Sequence, residues 1–309
     1  MSGEEQHDVV IVGAGVAGVN CALECFDIQL DTVVFEARTR AGGQLRDIPF
    51  VVRNLAAGTG RDGPALRDSL EEAAVILGDR VRRASPVTRI DLSARRIEAG
   101  GVSLRGRALV IATGTARQEL PAAPDGAFGG DVTYLLEARS GRFVGGDVVV
   151  IGGGDSGTLD ALALVNEGAA KVWLVHRTQA LTARHDIVKR VRAEPRIEQL
   201  AGWELERLDG GDHLERVTVV RRADGLRRQL DAHGLVVKIA RVPCTDLVRG
   251  QLETDGAGAI VIDHELRTSR DGVFAAGDVV AGAYARVAAA MGQGSLAARS
   301  VLRYLQRQG

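Results

Sequence analysis

Two glycine fingerprints, Gly13-Ala14-Gly15-Val16-Ala17-Gly18 and Gly152-Gly153-Gly154-Asp155-Ser156-Gly157, occur in one chain of 309 residues. Each follows directly on an apolar, β-branched run: Val9-Val10-Ile11-Val12 before the first, Val148-Val149-Val150-Ile151 before the second. Each reads as strand, tight turn, helix. In such a turn the first glycine permits a bend that a side chain would block. The second lets the backbone approach a pyrophosphate, and the third lets the helix pack on the strand. The free N–H groups at the helix start then face the phosphates, where the helix dipole favours negative charge. A glycine-rich turn without a ligand is the plainer alternative for either motif alone. Two in the right context predict an α/β chain that holds two dinucleotides and moves electrons between them.

The residue that closes the second strand of each unit distinguishes the ligands. Thr32-Val33-Val34-Phe35 ends in Glu36, about 20 residues past the turn, where a carboxylate accepts hydrogen bonds from ribose hydroxyls. A carboxylate repels a 2′-phosphate, so this site suits FAD or NAD rather than NADP. Lys171-Val172-Trp173-Leu174-Val175 ends instead in His176-Arg177. A guanidinium pairs well with phosphate, which favours NADP(H) there. The bland reading of Arg177 is a solvated surface charge.

The chain is long enough for two domains with ordinary cores. Its 39 basic and 40 acidic residues are spread without a dominant block, which argues against nucleic acid or a membrane surface as partner. No apolar run is long enough to span a bilayer and no signal-peptide pattern opens the chain, so a cytoplasmic protein is expected. Three cysteines make no disulfide framework. Cys21 and Cys25 fall on one helix face and read as buried. Cys244 follows Pro243 and is expected near a helix start. No metal-ligand spacing appears among the six histidines and three cysteines.

Periodicity and turn residues predict a helix over 64–77 and strands at 87–92, 95–98 and 108–111. A Pro-, Gly- and Ala-rich crossing follows at 117–131. Beyond it the pattern gives strand 147–151, helix 156–168, strand 171–175, helix 184–192, and strands at 215–222 and 233–239. Strands at 259–262 and 273–275 and a closing helix over 292–305 complete the chain. The resulting division is residues 1–117, an inserted domain over 118–241, and 242–309 returning to the first.

Taken together these residues resemble the low-molecular-weight thioredoxin reductase family of pyridine-nucleotide flavoproteins. The likeness rests on the two fingerprints with Glu36 and with His176-Arg177, on Gly42-Gly43-Gln44-Leu45, on Ile111-Ala112-Thr113-Gly114, and on Gly272-Val273-Phe274-Ala275-Ala276-Gly277-Asp278. It implies two Rossmann-like dinucleotide-binding domains, a discontinuous one for FAD and an inserted one for NAD(P)H. For FAD the resemblance implies Gly13, Gly15, Ala17, Gly18, Glu36, Gly43, Gln44, Asn54, Thr113, Gly114, Gly277, Asp278, Arg286 and Val287. For NAD(P)H it implies Gly152, Gly154, Asp155, Ser156, Gly157, His176 and Arg177. Ordinary turn chemistry is the alternative for Thr113 and Asn54. A homodimer is likewise implied.

Two departures from the family bear on function. Its Cys-x-x-Cys-Asp segment falls here on Leu135-Leu136-Glu137-Ala138-Arg139, and no Cys-x-x-Cys occurs elsewhere. Without a dithiol the exchange of electrons with a substrate disulfide by thiolate attack has no relay. The family's cluster of arginines for the 2′-phosphate is reduced to Arg177, with Thr178 and Thr182 in the other places and Arg184 nearby; NADH stays an alternative. The expectation is a flavoenzyme that passes electrons from NAD(P)H through FAD to an external acceptor. That acceptor is a ferredoxin- or flavodoxin-type protein, as in thioredoxin reductase-type ferredoxin–NADP reductases, or a small molecule. Two other readings stay open. One is an FAD-dependent oxidase or dehydrogenase of a small substrate, using Tyr284, His233 or Cys244. The other is a non-catalytic redox sensor with a vestigial second site.

Overall fold

The computed structural model describes residues 5–48, 51–56, 60–136, 141–239 and 241–308. The chain forms two compact units, unit 1 from residues 1–116 and 242–309, unit 2 from residues 117–241. Short strands β7 (Thr115–Arg117) and β16 (Arg241–Pro243) lie where the chain passes from one to the other.

Unit 1 is built on β1 (Glu5–Val12), β2 (Thr32–Phe35), β3 (Val81–Arg82), β6 (Val102–Ile111) and β17 (Val273–Ala275), all parallel in the order β3-β2-β1-β6-β17. An antiparallel pair, β4 (Val87–Asp91) and β5 (Arg96–Ala99), joins the first half of β6. Such a sheet is covered on both faces, so its strands are apolar without alternation. Val9 and Ile11 face a core shared with α1 (Val16–Asp27) and α6 (Val287–Gln308), while Val10 and Val12 face Ile90, Ile97 and Leu104 on the other side. Each fully buried branched side chain contributes about 1.5–3 kcal/mol. Helix α2 (Gly63–Ile76) is started by Asp62, whose carboxylate accepts from the Ala65 N–H, with Pro64 in its first turn. Cys21 and Cys25 are buried on α1, as expected.

Unit 2 repeats the plan. Its sheet is β8 (Val132–Thr133), β9 (Asp147–Ile151), β10 (Lys171–His176), β11 (Ile197–Ala201) and β15 (Gly234–Val237), parallel in the order β11-β10-β9-β15-β8. Helices α4 (Asp155–Glu167) and α5 (His185–Ala193) cover one face, and a short α3 (Ala127–Gly130) precedes β8. The antiparallel sheet β12 (Trp203–Gly210), β13 (Leu214–Arg221) and β14 (Arg227–Asp231) covers the other through Trp203, Val217, Val219 and Leu230.

Two expected elements differ. No strand forms over 259–262; Ile260 makes only isolated bridges to Thr254 and Val280. The Asp255 carboxylate accepts from the N–H groups of Ala257 and Ala259, closing a turn where a ladder would have to start. The closing helix begins at Val287 rather than 292, because Ala288–Ala290 are strong helix formers that extend it. Among the described residues no helix is long and apolar enough to cross a membrane.

Candidate functional site

In unit 1 the sheet order reverses at β1: the chain goes to β2 and β3 on one side, to β6 and β17 on the other. Ligands of open α/β sheets bind outside the carboxyl ends of the strands at such a switch point. Gly13 follows β1 there, and Ala112-Thr113-Gly114 follow β6. Gly13 takes φ +103°, which only glycine adopts at little cost, and a β-carbon on it would overlap the Ala112 carbonyl oxygen. A β-carbon on Gly18 would overlap the Gly13 carbonyl oxygen. One on Gly15 would meet no protein atom within 4 Å. The first and third glycines are therefore required by packing within the protein, and the second opens onto free space.

Glu36 and the 41–44 loop border that opening, and Gln44 ties the loop to Thr115 and Asp278. Glu36, 8% exposed, accepts from the Ala14 N–H at 3.0 Å and the Arg38 N–H at 2.9 Å, which fixes its carboxylate beside the turn. The 41–44 loop is drawn in by the Gly42 N–H on the Ala14 carbonyl at 2.8 Å, and a β-carbon on Gly43 would lie 3.2 Å from Gly15 Cα. Gln44 Nε2 donates to Thr115 Oγ1 at 2.9 Å and to Asp278 Oδ2 at 3.1 Å. Gly277 stands against Ala17, where an added β-carbon would come within 2.9 Å of the Ala17 methyl. The Thr113 hydroxyl donates to the Cys244 carbonyl at 2.7 Å, and the Cys244 N–H donates to the Gly114 carbonyl at 3.0 Å. Thr113 is thus a tie between the two returns of unit 1. Cys244 precedes a single 3₁₀ turn, Asp246–Val248, rather than a helix. Arg286 and Val287 stand at the start of α6, with the Arg286 guanidinium over the exposed Tyr284 ring. Asn54 is exposed, between the bridged residues Val52 and Arg61.

Two positioning side chains carry no signal in the sequence. Glu71 on α2 accepts from the Ala41 N–H at 2.6 Å and from Arg83 at 2.8 Å, holding the loop that delivers Gly43 and Gln44. Gln293 on α6 accepts from the Gly277 N–H at 2.7 Å, holding the turn that delivers Asp278.

Unit 2 has the same switch point, between β9 and β15. Gly152 takes φ +139°, and a β-carbon on it would overlap the Lys238 carbonyl oxygen. A β-carbon on Gly157 would overlap the Gly152 carbonyl oxygen. One on Gly154 would find only Thr182 Oγ1, at 3.8 Å. The backbone bonds repeat as well: the Gly13 N–H to the Phe35 carbonyl and the Gly152 N–H to the Val175 carbonyl are both 2.8 Å. Asp155 and Ser156 open α4, with Ser156 exposed.

His176 and Arg177 separate in the structure. Arg177 is exposed just past the end of β10 and makes no ion pair among the described residues. His176 is buried behind the turn, where a β-carbon on Gly153 would come within 2.9 Å of its own. Burial pushes its imidazole below the ordinary histidine range, against the opposing contact with Thr178. It therefore supports the turn as a neutral ring and brings no positive charge to a phosphate. Arg184 is tied to the fingerprint: its N–H donates to Asp155 Oδ1 at 2.8 Å, and its guanidinium pairs with Asp155 Oδ2 at 3.2 Å. A feature missed in the sequence is the buried pair Lys238–Asp160, 3.0 Å apart, at the end of β15. A lysine ending the apolar run Gly234-Leu235-Val236-Val237 was the available signal. His233 lies at the amino end of β15, where its Nδ1 accepts from the Asp147 N–H, so it is at the opposite end of the sheet from the turn. Of the segment aligned with the family dithiol, Leu136 is buried, and Glu137, Ala138 and Arg139 fall outside the described residues.

Both turns thus offer what a dinucleotide pyrophosphate requires: N–H groups at a helix start, and a second glycine whose missing side chain leaves the approach open. Residues 7–294 match the family model described as pyridine nucleotide-disulphide oxidoreductase. A thioredoxin reductase of Mycolicibacterium smegmatis is 32% identical over 305 residues, 98% of this chain and 97% of that protein. A 34.2 kDa protein in a rubredoxin operon of Clostridium pasteurianum is 30% identical over 308 residues, 99% of each. The crystal structure of Lactococcus lactis thioredoxin reductase superposes with a TM-score of 0.86 at 26% identity, covering 97% of this chain and 99% of that one. With two dinucleotide cradles and a match over nearly its whole length, the chain belongs to the pyridine nucleotide-disulphide oxidoreductase family, whose thioredoxin reductase-like members use FAD and NAD(P)H.

Proposed function

We propose that this protein is an NAD(P)H-dependent FAD oxidoreductase that passes electrons to an external acceptor without a redox-active disulfide, and is not a thioredoxin reductase. Unit 1 is the FAD domain and unit 2 the NAD(P)H domain. The observation that carries this reading is the repeated turn whose second glycine, Gly15 or Gly154, is open while its neighbours are packed. When bound, the two cofactors supply the hydride and two-electron chemistry, and the protein supplies position and electrostatics. Glu36 offers acceptors to ribose hydroxyls and disfavours a 2′-phosphate. Gln44 and Asp278, already joined at 3.1 Å, present an amide and a carboxylate next to Gly114. In unit 2, Arg177 is the cation for a 2′-phosphate, and His176 supports the turn from behind.

Two of the three cysteines support the absence of a thiol relay. Cys21 and Cys25 are fully buried free thiols, and the Cys21 thiol is raised well above its ordinary value by its hydrogen bond with Cys25 and by burial. A thiol that does not ionise does not attack a disulfide. The relative from a rubredoxin operon favours a small electron-carrier protein as acceptor. The test is anaerobic stopped-flow mixing of the flavin-loaded protein with NADPH or NADH. Bleaching of the flavin by at least one nucleotide is expected, with no turnover of a thioredoxin or of a small disulfide. Failure of both nucleotides to bleach it, or steady disulfide reduction, would overturn the proposal.

A further inference from the structure

We propose that unit 1 carries a separate oxyanion site, for a phosphate group, in an arginine-lined cavity at the amino-terminal edge of its sheet. The cavity has a volume of about 170 Å³ and is bordered by Gln6, Arg95, Arg105, Arg107, Tyr304 and Gln308. Gln6 pairs in register with Arg105 near the starts of β1 and β6, and Tyr304 and Gln308 belong to the last turns of α6. Val12 lies six positions after Gln6 along β1, so the cavity lies about 20 Å from the glycine turn. It is not part of either dinucleotide cradle.

Its charges do not balance. Arg107 is answered by Asp8 at 2.9 Å, and the Tyr304 hydroxyl donates to Asp271 at 3.1 Å. Arg95 and Arg105 have no carboxylate partner among the described residues, and Arg95 Nε is buried without any hydrogen-bond acceptor. A buried donor left unmatched on a charged group is costly, and an anion that accepted from it would remove that cost. Arg95 is also held in an unfavourable backbone: φ is +50° on a residue with a long side chain. The surroundings keep it there. Its carbonyl accepts from the Gly106 N–H at 3.0 Å, and its stem lies over Gly272, where a β-carbon would come within 3.2 Å of Arg95 Cδ and 2.8 Å of the Tyr304 hydroxyl. Two guanidinium groups without a carboxylate partner, with the Gln6 and Gln308 amides around them, match a tetrahedral oxyanion, which accepts several hydrogen bonds and pairs with the guanidinium fork. The negative end of the α6 dipole opposes an anion here, but it is a weaker field than two full guanidinium charges.

The test is calorimetric titration of the FAD-loaded protein with inorganic phosphate and, separately, glycerol 3-phosphate, at ionic strength matched with chloride and without nicotinamide nucleotide. One saturable site is expected. Losing one guanidinium–phosphate contact should weaken it about tenfold in each of Arg95→Met and Arg105→Met. Arg177→Ala in unit 2 should leave it unchanged. Tighter binding of the ester assigns a phosphomonoester, and tighter binding of inorganic phosphate assigns the free ion; either supports the site. If Arg95→Met fails to retain flavin, Arg105→Met alone decides, since its side chain is exposed on β6. Absence of saturable binding to the wild type overturns the proposal. So does binding that survives the cavity variants and is lost in Arg177→Ala.

Discussion

Gly15 and Gly154 both lie in extended backbone, at φ −74° and −89°, which any residue adopts. Their lack of a side chain therefore answers to approach, not to conformation. Gly15→Val and Gly154→Val should both fold, with unchanged far-ultraviolet circular dichroism. The first should purify with flavin content reduced tenfold or more, a loss of about 1.4 kcal/mol at least. The second should keep its flavin and lose NAD(P)H-driven bleaching. Unfolding in either variant would show that the glycine serves packing instead. Arg177 has a sharper test. Arg177→Ala should raise the KM for NADPH about tenfold, the size of one charge-assisted hydrogen bond, and leave that for NADH unchanged. Equal effects on both nucleotides would remove Arg177 from the 2′-phosphate. The adjacent His176 shows where sequence reading stops at this scale. The pair stands together at a strand end, yet one ring packs behind Gly153 and one guanidinium faces solvent. Alternation along a strand permits that, and only burial shows which residue is which.

At the scale of elements, the supports of the unit 1 cradle are made by segments far apart in the chain. The Gln44–Asp278 bond spans 234 residues and depends on β17 lying beside β6. Unit 2 has a comparable tie at the entry to β8. Asp131 accepts from the Leu214 N–H at 3.0 Å, from His213 Nδ1 at 3.0 Å and from Arg142 Nε at 2.9 Å, joining the start of β13 to the edge of the parallel sheet. Burial alone would raise its carboxyl; the Leu214 N–H, Arg142 and His213 outweigh it and hold the group below the usual aspartate range. A depressed folded-state pKa stabilises the protein above the unfolded value, and that stability is lost as pH falls through the lower folded value. Asp131→Asn should therefore destabilise unit 2 at pH 7 by about 1.5–3 kcal/mol, the range for hydrogen bonds to a charged group. In urea unfolding at pH 3, below the unfolded pKa of about 3.9, the gap from wild type should narrow. A gap independent of pH would mean that the substituted amide fails by shape, not by charge.

For the whole molecule, the decisive fact is which groups can carry electrons out. Its cysteines are Cys21, Cys25 and Cys244, and the first two are buried on α1 where α6 crosses it closely at Gly294. A variant with Cys21→Ala, Cys25→Ala and Cys244→Ser should, per bound flavin, keep the wild-type rate of NAD(P)H oxidation with ferricyanide as acceptor. Loss of that rate would restore a thiol to the electron path. The two βαβ turns, the carboxylate after one, the arginine after the other and the missing dithiol are all legible in the order of residues alone. Those are local matters: glycine spacing, strand period and residue identity over some thirty neighbouring positions decide them. Which glycine opens to a ligand, that Glu71 and Gln293 hold the loops, that His176 is a support, and that Arg95 Nε lacks an acceptor all emerge from packing. Each of these depends on which distant backbone or side chain comes within a few ångströms. That is set by how sheets and helices close on one another, and no single stretch of sequence contains it.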